Sequence, residues 1–121
     1  DRFSAANETQ ARLTLVRERG VVIMERIEDE LAEVDVDLEV VRQQLMQQQA
    51  LEAQAGMAVG SSAGVRDAER AVVEHRARRA SLRDQRADFE ESENAQIDKG
   101  ISLKREIGEI RSAMRAADAA H

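Results

Sequence analysis

Proline is absent from the sequence, as are cysteine, tryptophan and tyrosine, and the only aromatic rings are those of Phe3 and Phe89. Each absence excludes something. A proline inside a helix removes a hydrogen bond and clashes with the preceding turn, at a cost of about 3 kcal/mol. A chain without one can carry helices for many turns. The lack of cysteine excludes a disulfide framework and thiolate metal sites, and it leaves the redox compartment open. A globular core normally takes several large rings, each burying roughly 150–250 Å². Two phenylalanines cannot fill one, but a thin seam between helices needs only Ala, Val, Leu, Ile and Met. No apolar run approaches the ~18 residues of a membrane span, and no secretory signal is recognisable. The expectation is a cytoplasmic chain without membrane insertion. It begins at Asp1 rather than at a methionine, which fits a processed chain or a segment of a longer one.

What is present points the same way. Charged residues make up 35% of the chain and apolar ones 42%, and Ala, Glu, Arg and Leu prevail, the composition of long helices. The charge-free segment Gly56–Gly64 breaks the pattern, holding three of the six glycines. The reading is all-α: an antiparallel two-helix coiled-coil hairpin that packs into a larger helical bundle or oligomer. It comprises an N-terminal extension over 1–6, a first long helix over 7–55, a Gly/Ser-rich turn over 56–64 and a second long helix over 65–119. Asn7 with Gln10 fits a capping box for the first arm, and Ser61 or Ser62 fits the N-cap of the second.

The first seam reads Leu13, Val16, Gly20, Ile23, Ile27, Leu31, Val34, Leu38, Val41, Leu45. Its steps of three and four include one extra four at Ile27–Leu31, a stutter that unwinds a supercoil locally. The second seam reads Val65, Ala68, Val72, His75, Arg79, Leu82, Arg86, Phe89, Glu93, Gln96, Gly100, Leu103, Ile107, Ile110, Met114, Ala117. It is apolar toward its ends and polar in the middle, where long side chains keep their heads in water. A turn centred on Gly60 places residue i opposite roughly 120 − i. Leu38 then faces Leu82, Leu31 faces Phe89, Leu13 faces Ile107, and Gly20 faces Gly100.

Charge patterning supports antiparallel pairing. Residues 28–39 hold seven acids and no base, and residues 76–86 hold five arginines and one acid. The same register sets Asp37 against Arg83 and Glu33 near Arg86, with Arg79 beside them as a further register-setting charge. It also brings Glu90, Glu91 and Glu93 across from Glu28, Asp29 and Glu30, which opposes the pairing.

Chemistry-bearing patterns are missing. Catalysis needs a pocket with shifted titrating groups, and a two-helix seam offers none. His75 and the terminal His121 are too far apart in sequence for a His-based site, and the acidic run lacks the loop of a calcium hand. The tip has no phosphate-binding signature, and the arginine cluster has no interleaved aromatic for base stacking in a chain of net charge −6. Surplus apolar residues on the first arm, Val22, Ala32, Val36 and Val40, form a candidate partner-binding stripe. Gln43, Gln44, Gln47, Gln48 and Gln49 form a solvated polar tract.

The function expected is a non-enzymatic structural or scaffolding module. It mediates protein–protein interaction and oligomerisation, with other helical proteins or itself as partner, and it takes no nucleic acid, small molecule, metal or cofactor. By analogy of fold alone, the alternative is a stalk or adaptor hairpin of a larger machine, such as an export-ATPase stalk or a chaperone-like arm.

Overall fold

A computed structural model describes residues 2–120. The chain is an all-α helical hairpin of two helices, α1 (Arg2–Gln54) and α2 (Ala63–Ala119). The described residues include no strand. Helix α1 therefore starts at Arg2, and the expected extension over 1–6 is helical from its second residue. Asn7 lies inside the helix and caps nothing. The early start has a packing cause. Ala6 is buried, Arg2 Nε sits 3.2 Å from Glu106, and the Arg111 guanidinium stacks 5.7 Å from the centre of the Phe3 ring, a contact of about 0.5–1 kcal/mol at an exposed site.

The helices pack as two compact units. The tip unit is Glu25–Arg86, and the terminal unit is Asp1–Met24 with Ala87–His121. In the tip unit the core centres on Leu38, Val41 and Val72, with Leu45 and Ala71 packed against it. Ile27, Leu31, Val34, Val65, Ala68 and Leu82 are buried along the same seam. In the terminal unit the buried apolar side chains are Ala6, Leu13 and Ile107, while Phe89, Leu103 and Ile110 are half-buried. Apolar burial contributes roughly 25 cal/mol per Å², so the tip unit holds more of the stability.

The seam of α1 runs in one frame. Phe3, Ala6, Gln10, Leu13, Gly20, Met24, Ile27, Leu31, Val34, Leu38, Val41, Leu45, Gln48 and Glu52 are buried or half-buried. Adding the exposed Arg17 makes the steps alternate strictly between three and four, and there is no stutter at Ile27–Leu31. Val16 and Ile23 are not seam residues, since both are exposed. They are apolar neighbours of the true positions Arg17 and Met24, whose own side chains hid the frame. In α2 the expected frame is buried or half-buried from Val65 to Ile110.

The register differs from 120 − i. In the tip unit Asp35 pairs with Arg79, Gln48 lies over Gly64, and Glu52 bonds to Ser62. In the terminal unit Arg2 pairs with Glu106, and Gly20 abuts Phe89 and Glu93. In all of these the two residue numbers total 108 to 114. Leu38 therefore meets Val72 rather than Leu82, and Phe89 packs on Gly20 rather than on Leu31. Leu13 shares a groove with Gln96 and Gly100 rather than with Ile107. Glu93 is spent against Gly20 and not against the acidic run. Met114 is exposed, and at this register its counterpart falls outside the described α1, Arg2–Gln54.

The expected glycine pair dissolves with the register. A Cβ on Gly20 would lie 3.2 Å from Phe89 Cζ and 2.5 Å from Glu93 Oε1, whereas nothing lies within 4 Å of one on Gly100 or Gly108. Mid-helix glycine costs about 1 kcal/mol against alanine. Gly100→Ala and Gly108→Ala should each raise stability by about 1 kcal/mol in thermal unfolding followed by circular dichroism. Gly20→Ala should gain clearly less, because the Phe89 ring must give way. Equal gains at all three positions would contradict the close approach at Gly20.

Candidate functional site

Two features of the tip unit stand out, a locked turn and an outward face. The turn is built from the end of α1. The Gly56 N–H donates to the Ala53 carbonyl (3.1 Å) and the Met57 N–H to the Glu52 carbonyl (3.1 Å). Gly56 has φ +68°. This is a Schellman termination, which needs a left-handed residue at that point and favours glycine. Gly60, with φ +79°, makes the second left-handed step. Ser62 then caps α2, its hydroxyl oxygen accepting the Val65 N–H at 3.2 Å.

Glu52 ties these parts together. Its carboxylate accepts the Gly60 N–H (2.6 Å), the Ser62 N–H (3.0 Å) and the Ser62 hydroxyl (2.7 Å), and the residue is only 4% exposed. An acid in the last turn of its own helix is poorly placed with respect to that helix's dipole. Glu52 escapes this by reaching across to the N-terminus of α2, where the free N–H groups favour a negative charge. The Ser62 side-chain and backbone hydrogen bonds, aided by the one from Gly60 and opposed by desolvation, hold its pKa below the ordinary glutamate value. Met57 is exposed, and Val59 is 96% exposed, so the lock presents two apolar side chains to solvent.

The outward face of α1 is the second feature. Val36 and Val40 are neighbours on one face by their four-residue spacing, and they are 65% and 49% exposed. Ala32 is exposed beside them. In the terminal unit Val22 and Leu15, seven residues apart, are also exposed. The 28–39 run holds seven acids, of which Asp29, Glu33 and Asp37 share the exposed tip-unit face with Val36 and Val40. Among the described residues Asp35 is the only one of the seven in an ion pair, with Arg79 at 3.6 Å. The expected pairs Asp37–Arg83 and Glu33–Arg86 do not form. The shifted register slides those acids past those arginines. Asp29–Glu33, Glu33–Asp37 and Asp35–Glu39 stand four apart, and like-charge pairs at that spacing destabilise a helix by roughly 0.2–0.5 kcal/mol each.

Elsewhere the chemistry is sparse. His75 is half-buried in the seam, its Nδ1–H donating to the Ala71 carbonyl at 2.7 Å. His121 lies outside the described residues. In the terminal unit a groove of about 200 Å³ runs beside Gly20, with Val16, Ile23 and Phe89 in its wall. Gln96 Oε1 is buried there without a hydrogen-bond partner. No group of three or more His, Asp or Glu among the described residues could hold a metal. No helix among them is long and apolar enough to cross a membrane. No protein-family model matches the chain, and neither curated proteins nor solved structures provide a match.

The locked turn was missed in the sequence although a signal was present. Continuing the heptad beyond Leu45 leads to Gln48 and then Glu52, an acid at a seam position just ahead of a charge-free turn. The consequence is testable by thermal unfolding against pH. Because the folded pKa of Glu52 is depressed, its stabilisation is complete above the ordinary glutamate value and is lost as pH falls through the folded value. Glu52→Gln should therefore melt below the parent chain at neutral pH, and the gap should narrow on acidification. Ser62→Ala should cost about 1 kcal/mol as a lost cap, with less than additive loss in the double variant. Additive losses, or a gap that does not change with pH, would count against the lock.

Proposed function

We propose that this chain is a non-enzymatic coiled-coil scaffolding module, which binds other helices through the outward face of α1. The observation that carries the reading is the exposed pair Val36 and Val40 on a helix whose opposite face is already buried against α2. A helix needs one apolar stripe to join a hairpin, and a second stripe serves another neighbour. The unrelieved acidic repulsion along the same face supports the reading, since binding surfaces commonly retain local instability that folding alone would remove. Oligomerisation is one form such an interaction takes.

A second reading, an adaptor hairpin working through its tip, is favoured by Val59. A turn pinned by three hydrogen bonds to one carboxylate is preorganised, which lowers the entropic cost of docking what it displays.

One experiment separates the two. A photo-crosslinking residue is placed in the chain expressed in its native cell, at position 36, 40 or 59, with position 91 on α2 as control. Discrete adducts from 36 and 40 are expected under the scaffolding reading. Adducts from 59 alone would transfer the function to the tip, and none from 36 or 40 would overturn the scaffold. Sedimentation equilibrium of the purified chain then tells a second copy from a foreign partner.

A further inference from the structure

We infer that the partner seated on the tip unit's outward face is a basic amphipathic helix, its apolar stripe on Ala32, Val36 and Val40 and its lysines or arginines against Asp29, Glu33 and Asp37. This rests on the scaffolding reading and names the chemistry of its partner. The spacing of these six residues makes them one patch: 29 to 33, 33 to 37 and 36 to 40 are steps of four, and 29 to 32, 33 to 36 and 37 to 40 are steps of three. All six are exposed. Among the described residues the three acids form no ion pair, and the arginine row of α2 gives its bridge to Asp35 from Arg79.

Charge decides among occupants. A second copy presenting the same face would set Asp29, Glu33 and Asp37 against their own counterparts, and like charges across a helical interface exclude such pairing. A purely apolar helix would leave three carboxylates desolvated and unpaired. A helix with an apolar stripe flanked by cations meets both demands. Its positive charge also speeds encounter with the acidic face, an effect that fades with salt.

The probe is a four-heptad helical peptide with leucine at the core positions and lysine on both flanks, labelled for fluorescence anisotropy and titrated with the full chain. Two control peptides carry glutamate on the flanks, or alanine in place of leucine. The lysine-flanked peptide should bind, and the controls should bind at least about tenfold more weakly. Asp29→Lys with Glu33→Lys should weaken binding about tenfold. Val36→Glu with Val40→Glu should abolish binding even though it adds negative charge, which mere electrostatic adsorption to an acidic protein would not do. Val36→Ser with Val40→Ser repeats that test should the glutamates disturb helicity. Equal binding to the parent and Val36/Val40 variants, equal binding of the glutamate-flanked peptide, or no binding of the lysine-flanked one would each overturn the inference. Adducts from positions 36 and 40 without binding of the lysine-flanked peptide would remove this inference alone. Absent adducts would remove the scaffolding reading beneath it.

Discussion

The carboxylate of Glu52 reaches from the last turn of one helix to the first turn of the next, and the pairing of the tip unit follows from where it lands. Its three acceptor bonds to Gly60 and Ser62 join the two helix ends at one point, while the Schellman turn at Gly56 ends α1 early enough for α2 to return without slack. Gln48 then lies over Gly64, Asp35 reaches Arg79, and Leu38 and Val41 close on Val72. A heptad seam by itself tolerates sliding by whole heptads, because each apolar layer resembles the next. A buried charge does not slide, since every other register leaves it desolvated without partners. The tip thus supplies the specificity that the aliphatic layers lack.

Seen this way, the polar positions in the seam divide by what they do. Arg79 lies over the edge of the seam and meets Asp35 in a partly exposed pair, the kind that contributes about 0.2–1 kcal/mol. His75 turns its ring back to its own helix and asks nothing of α1. Gln96 leaves an oxygen without a partner. Of the three only Gln96 belongs to the terminal unit, where few apolar side chains are buried, so opening there costs less than in the tip unit.

Much of the fold could be read from residue types. The proline-free arms, the charge-free break and the second seam came directly from periodicity. The position of α1 relative to α2 did not. Val16 and Ile23 are better hydrophobes than Arg17 and Met24, so apolarity alone drew the first seam through the wrong pair and produced a stutter that packing does not contain. Placing the turn's centre at Gly60 treated the loop as symmetric. In fact a left-handed glycine stops α1 at one side and a serine starts α2 at the other, and the pairing shifted by six or more residues. The outward valines were legible, because exposure follows from helical phase once a seam is fixed. The role of Glu52 is legible only by carrying the heptad past Leu45 to Gln48 and on to the acid, because a single acid in a charge-rich chain does not stand out by residue type.

The locked turn also bears on how the chain acquires its structure. Glu52 and Ser62 stand ten residues apart, whereas Arg2 and Glu106 are separated by 104. Closing the longer loop first would cost about 2 kcal/mol more chain entropy than closing the shorter one. The turn is therefore the cheapest place for the helices to meet, and each seam layer formed after it shortens the loop left for the next. On chain entropy alone, zipping outward from residues 52–65 is the least costly order of assembly.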